Sequence, residues 1–247
     1  MSSPALSPEA WLAQATIAPE VLALRPDYRA LLVVAEGLRP GPSDETSERL
    51  LAEAERTARA LFADTPLEEH PHVAAWREAF RAAGMKPQRT RPSVDALLRR
   101  LADGLPRINR LTDIYNAVSI AHVLPLGGED LDHYQGPARL VRATGEETFD
   151  TSAKGEAVVE SPDKGEVVWR DDLGVTCRRW NWRQCTRTQL TGSTTRALFI
   201  LDALGPMDDA ALERAGQALV EGFREADPQV RTAVRLVTTA ASEQVSC

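Results

Sequence analysis

The sequence predicts an α+β fold with a mixed or antiparallel sheet core and flanking helices. Three observations carry this expectation. Helical periodicity is concentrated between residues 44 and 101 and returns at 208–225. Short apolar runs broken by Gly, Asp and Pro dominate the stretch from 112 to 204. The two patterns are segregated along the chain, which disfavours a doubly wound parallel sheet. With 247 residues, 43% hydrophobic and 26% charged, the chain can bury one sizeable core. A single domain is expected over 21–247, behind a poorly ordered tail at 1–20.

Taken in order, VLALRPDYRALLVVAEGL (21–38) is rich in Val and Leu around Pro26 and predicts one or two strands. From 44 to 62, Leu50, Leu51, Ala54, Ala58, Leu61 and Phe62 share one helical face, with Glu and Arg opposite. A second helix near 72–83 turns Val73, Trp76, Phe80 and Ala83 inward and stops at Gly84. A third takes Ser93 as its N-cap, places Asp95 in its first turn and buries Val94, Leu97, Leu98 and Leu101 before Gly104. Arg99 and Arg100 fall off that stripe, toward solvent. Between these helices GMKPQRTRPS reads as a loop.

Beyond 112, GEVVWRDDLGVTCRRWNW and RALFILDAL predict strands, with 171–174 as the turn of a hairpin. A helix at 208–225 presents Leu212, Ala215, Leu219 and Phe223. VRTAVRLV then alternates Val230, Thr232, Val234 and Leu236 against arginines as a last strand.

The net charge of -7 argues against nucleic-acid binding through global charge, and no DNA partner is expected. Locally the balance reverses. From 86 to 110 seven basic residues face two acids. No apolar run reaches the roughly 18 residues of a membrane helix, and the start of the chain lacks a secretory pattern. Cys177, Cys185 and Cys247 show no paired spacing, so neither a disulfide framework nor a zinc site is expected, and a cytoplasmic setting is. His70 and His72 lack partners for a metal site and read as surface residues, while His122 reads as a core residue and His133 as part of a turn. No P-loop, GxGxxG, GxSxG or HExxH motif occurs.

Two stretches stand out. GVTCRRWNWRQCTRT (174–188) holds two tryptophans and four arginines. Strand parity puts Val175 and Cys177 on one face and Trp180 and Trp182 on the other; a bend at 178–179 would bring all four to one side. The residues fit either a core strand with snorkelling arginines or a pocket wall with Asn181, Arg183 and Gln184 as polar contacts. The loop KPQRTR and the helix after it supply Lys86, Arg89, Arg91, Arg99 and Arg100, which suit phosphate contacts if they form one face. In NRLTDIYNAVSI (109–120), Asp113 reads as a cap, and Asn116 needs a hydrogen-bonding partner wherever it is buried.

DIYNAVSIAHVLPLGGEDLD (113–132) resembles a stretch of the tRNA-editing domain in the phenylalanyl-tRNA synthetase β-subunit, of the form D-V-T-N-Y-V-x-x-x-x-G-x-P-L-H-A-F-D. The match is ungapped through Asp113, Asn116, Val118, Pro125, Leu126 and Asp130. VRATGEE, EVVWRD and STTRALFILDAL are similar to further strands of that domain, and the likeness spans about 85–205. It is nearest to the free-standing B3/B4 domains, which also carry an N-terminal helical portion and a C-terminal extension, and the motifs of a synthetase catalytic core are absent. The resemblance implies a site that holds the aminoacylated 3′ end of a tRNA, with no metal or organic cofactor. Two departures bear on specificity: Gly127 stands where the family has a histidine, and RRWNWRQ replaces a small, Gly-rich turn.

On this resemblance Asn116 and Asn181 are the candidate catalytic residues, orienting ester and water. Trp180, Trp182, Arg183, Gln184, Gly127 and Asp130 would line the substrate pocket. Lys86, Arg89, Arg91, Arg99 and Arg100 would contact RNA. The implied activity is hydrolysis of a mischarged aminoacyl-tRNA in trans. A non-catalytic tRNA- or RNA-binding module and a sensor of amino acids or nucleotides are the alternatives.

Overall fold

A computed structural model describes residues 6–238, apart from 87 and 154. The chain opens with helix α1 (Pro8–Leu12), strand β1 (Thr16–Ile17), helix α2 (Pro19–Leu24) and strand β2 (Arg29–Glu36). Four helices follow: α3 (Glu45–Leu61), α4 (Pro71–Ala82), α5 (Ser93–Leu98) and α6 (Arg110–His122). The strand-rich half comprises β3 (Leu126–Asp130), β4 (Arg139–Arg142), β5 (Phe149–Ala153), β6 (Glu156–Glu160), β7 (Val167–Arg170), β8 (Val175–Arg178), β9 (Arg183–Gln184) and β10 (Arg196–Ala203). Helix α7 (Asp209–Ala226) and strand β11 (Arg231–Val237) complete it.

The fold is α+β, with antiparallel and mixed sheets. One sheet has the order β11-β2-β10-β3, antiparallel throughout. The other runs β1-β4-β7-β8-β9, and its single parallel pairing joins β1 to β4. Strands β5 and β6 form a separate ribbon.

Strands β2 and β10 are buried on both faces, which explains why β2 reads RALLVVAE without polar alternation. Leu32 and Val34 pack with Leu198, Ile200, Trp76 and Trp169 toward the second sheet. Leu31 and Val33 pack with Phe199, Leu201, Leu219 and Phe223 under α6 and α7. A smaller cluster of Leu51, Val73, Leu98 and Ile120 joins helices α3 to α6.

Helices α3, α4 and α7 occupy the predicted segments. Asp44 and Ser47 form a reciprocal capping box on α3, and Asp208 accepts from Ala211 N at 2.7 Å to cap α7. Several expectations are corrected. Residues 7–20 are no loose tail: Trp11, Leu12, Ala15 and Ile17 are buried, while residues 1–5 lie outside the described set. Residues 21–24 belong to α2, so only β2 is a strand there. Ala83 is exposed. In β11, Val234 is exposed and Ala233 and Val237 face inward, a parity opposite to the predicted one.

Ser93 does not cap α5: Pro92 holds the cap position without a side-chain bond. His72 is buried and neutral, its pKa pushed down to about 4 by burial. Its Nδ1–H donates to Val123 O at 2.8 Å, and Nε2 accepts from Leu204 N at 3.1 Å. One imidazole therefore ties the ends of α6 and β10 together. His122 is only half-buried. Among the described residues, no helix is long and apolar enough to cross a membrane.

Helix α6 was not legible. Asn109, not Asp113, caps it, accepting from Thr112 N at 2.9 Å. Asp113 is buried and accepts from Ile108 N at 2.9 Å and from the Ser43 hydroxyl. The helix ends at Val123, whose φ of 54° and ψ of 52° are left-handed. Glycine is the usual residue at such a helix end, and the synthetase stretch carries one at that place.

Candidate functional site

The β8–β9 hairpin, the start of α5, helix α6 and the facing strands β3 and β10 line an open cavity of about 280 Å³. It gathers Asn116, Gly127, Trp180, Asn181, Trp182, Arg183 and Gln184. These come from two stretches far apart in sequence, 116–127 and 180–184. Asp130 is not among them: it is buried elsewhere, where it accepts from Thr194 Oγ1 at 2.6 Å and Asp132 N at 3.0 Å. Its match to the family stretch reflects a structural tie.

The hairpin gets its shape from Arg179 and Trp180, which sit at φ 52° and 60°. Two successive non-glycine residues in the left-handed region are costly, on the order of 1–2 kcal/mol each. The family's Gly-rich turn would adopt such a conformation at no steric cost. The bend brings Cys177, Trp180 and Trp182 to one cavity, while Val175 packs with Phe149 and Val168.

The two tryptophans have different roles. Trp180 is 2% exposed and stacks on Phe80 at 6.2 Å, with Trp76 edge-on at 6.3 Å. It is a core residue that also forms a cavity wall. Trp182 is half-buried, and the guanidiniums of Arg179 and Arg183 lie 4.5 and 4.9 Å from its ring centre.

Asn116 is buried on α6 and lines the cavity, and its carboxamide makes no hydrogen bond to another described residue. Asn181 is engaged at both ends of its amide. Its Nδ2 donates to Asp202 Oδ2 at 3.1 Å, and its Oδ1 accepts from Ser93 N at 3.3 Å, satisfying the start of α5. Gln184 Nε2 donates to Gly128 O at 2.8 Å. That amide lies 3.3 Å from where a Cβ on Gly127 would be, so it fills the space that a side chain at 127 would take.

Sequence reasoning missed two cavity-lining acids. Asp202 is 2% exposed, accepts from Tyr28 OH at 2.6 Å, and has its pKa pushed up to about 7, chiefly by burial. Glu129 is 1% exposed and likewise pushed up to about 7 by burial. Tyr134 OH donates to its Oε2, and its Oε1 has no partner. Neither carboxyl has a cation within ion-pair distance among the described residues. Both left a signal: Glu129 shares strand parity with Gly127, and Asp202 is a lone acid in an apolar run. The thiol of Cys177 lines the same floor and is held well above the ordinary thiol pKa by burial.

The arginines of the hairpin are mostly consumed by acids. Arg178 is buried and grips Glu166 through two 2.7 Å bonds, with Glu160 at 2.9 Å. Arg183 pairs with Glu160 at 2.5 Å, and Arg187 with Asp171 at 2.8 Å. The concentration of guanidinium in this segment is thus largely a set of internal ion pairs.

The five residues expected to contact RNA do not form one face. Arg99 is turned to buried Asp95 at 2.8 Å and to Glu68 at 3.3 Å. Arg100 lines the cavity, and Arg91 is half-buried and lines neither concavity. Lys86 and Arg89 line a second, larger concavity of about 590 Å³, which lies against Trp180 as well.

No curated protein matches the chain. A similar solved structure is an N-terminal fragment of the phenylalanyl-tRNA synthetase β-subunit from Pyrococcus horikoshii, with 12% identity and a TM-score of 0.45. The alignment covers 89% of this chain and 50% of that one, so the chain spans half its length. The B3/4 domain matches residues 75–237, from within α4 to the end of β11. On that match over more than half of its length, the chain belongs to the B3/4 domain family.

Proposed function

We propose that the 280 Å³ cavity receives the aminoacylated 3′ end of a tRNA and that the protein hydrolyses the ester of a mischarged species. The observation that carries this reading is the Asn116 carboxamide: it lines the cavity, is buried, and is free of internal partners. An amide that faces a cavity with no protein partner is open to water or to a ligand that enters there. Asn116 is also one of the residues matching the synthetase editing stretch.

An aminoacyl ester is already activated, so a held water and a few donors suffice for hydrolysis. In this account Asn116 orients the ester carbonyl or the water. Asn181 is a positioning residue, because both ends of its amide are taken by Ser93 and Asp202. Gln184 supplies polar character where the family histidine would stand, beside Gly127. Trp180 and Trp182 form the apolar wall, and the vicinal ribose hydroxyl assists. Arg100 and Arg183 line the cavity with positive charge suited to the terminal phosphate.

The test is deacylation of a panel of correctly and wrongly charged tRNAs, with Asn116→Ala beside wild type. Selective turnover lost in the variant supports the reading. Binding of tRNA without turnover would reduce the protein to a binding module.

A further inference from the structure

The larger concavity on the other side of Trp180 takes no part in the proposed hydrolysis, yet its chemistry is distinctive. Six cations border it (Arg25, Lys86, Arg89, Arg142, Lys164 and Arg179) against two carboxylates, Asp163 and Glu166, a local net of +4 in a chain of net charge -7. The two carboxylates are already engaged. Glu166 is held by Arg178, and Asp163 meets Arg179 at 3.4 Å. Arg25 is paired with Asp27 at 2.6 Å.

Lys86, Arg89, Arg142 and Lys164 have no carboxylate within ion-pair distance among the described residues, and all four are exposed. Arg142 is aimed by a 2.5 Å bond from its Nε to Gly165 O. These cations come from three separated stretches, so no local sequence run explains their meeting. The floor between them is apolar, formed by Ala79, Met85, Val167 and Trp180. Spread point charges around an open groove suit several phosphates along a strand better than one carboxylate.

We propose that this groove is a second binding site that holds the phosphodiester backbone of a single RNA strand, with Arg142 and Lys164 as phosphate contacts beside Lys86 and Arg89. The inference rests on the tRNA-end reading of the smaller cavity. Trp180 walls both concavities, and Arg179 lines the groove while its guanidinium lies over Trp182 of the cavity. A strand whose last nucleotide enters the cavity passes over this hairpin into the groove.

The test is fluorescence anisotropy with a 5′-labelled single-stranded RNA ending in CCA, titrated from low to moderate salt. Wild type, Asn116→Ala and the double variant Arg142→Gln/Lys164→Gln are compared. Both groove substitutions fall on exposed side chains, and melting curves check that the fold is kept. For wild type, log Kd rises with log salt. The double variant binds about 3- to 10-fold more weakly at low salt and loses about 1.4 from that slope, about 0.7 per phosphate on a single strand. An unchanged affinity and slope in the double variant, with Asn116→Ala still weakening the strand, overturns the groove and leaves the cavity reading standing. No binding by wild type overturns both.

Discussion

Asn181 Nδ2 donates to Asp202 Oδ2 across 3.1 Å, joining the β8–β9 hairpin to the central strand β10. The other end of the same amide accepts from Ser93 N at the start of α5. One side chain therefore holds three elements around the cavity. Asn181→Ala leaves Asp202 Oδ2 without its Asn181 donor and a helix-start N–H without its acceptor, at a cost of about 1–3 kcal/mol. The expected outcome is a lower melting temperature with any loss of activity mixed into it. Asn116→Ala removes no internal hydrogen bond, so it is expected to change stability by no more than about 1 kcal/mol and to act chiefly on ligand binding and turnover. Thermal melts of the two variants side by side check the contrast.

Gly127 and Gly128 give a second paired prediction. A Cβ on Gly128 would lie 2.7 Å from Phe199 Cε1 and 2.8 Å from Leu190 Cδ1, inside the core. Gly128→Ala should cost about 1–3 kcal/mol through overpacking. A Cβ on Gly127 meets only the Gln184 amide, at 3.3 Å, which is free to shift. Gly127→Ala should fold normally and lower affinity for the aminoacyl end by moving Gln184. Melting and ligand titration on both variants separate core from cavity.

The tryptophans divide in the same way. Trp180 is packed between Trp76 and Phe80, so Trp180→Ala should cost about 3–5 kcal/mol. Trp182 is half-buried, and Trp182→Ala should cost much less while weakening ligand binding. Denaturant melts are the check. Near-equal losses of stability would contradict the assignment of Trp182 to the cavity.

Glu129 gives the pH prediction. Burial raises its folded pKa from 4.5 to about 7, so the native state binds a proton more tightly than the unfolded chain. Stability from this group is present below the unfolded pKa and is lost as pH rises from about 4.5 to 7. Glu129→Gln keeps an acceptor for Tyr134 and supplies a neutral amide in place of the acid. At pH 8 the variant should be more stable than wild type by on the order of 1–3 kcal/mol, and at pH 5 nearly equal to it. Urea melts at the two pH values test this; equal stabilities at pH 8 would contradict it.

The legible parts of the fold were those with contrast between faces. Helices α3 and α7 each show one apolar stripe, and the β7–β8 hairpin carries its own turn signal at 171–174. Helix α6 has no such contrast. Leu111, Ile114, Val118 and Ile120 are buried together with Asp113, Asn116 and Ser119, so polar residues mark no solvent face. The site was half legible. Asn116 and the WNWRQ segment were recognisable from residue type and family likeness, and the fold brings them together. The fate of the arginines was not, because Arg178 finds Glu166 across the β7–β8 hairpin and Arg183 finds Glu160 on β6. Such pairing depends on tertiary register, which charge counts along the chain do not contain. The parity of β11 failed for a related reason: neighbouring α1 and β2, not its own alternation, decide which face is covered.

The most direct test of the central claim is single-turnover deacylation by the purified protein across a panel of mischarged and correctly charged tRNAs, with Asn116→Ala in parallel. The account predicts selective loss of one amino acid from its mischarged tRNA, abolished in a variant that still melts like wild type. Hydrolysis that persists unchanged in Asn116→Ala, or no turnover on any charged tRNA, would contradict it.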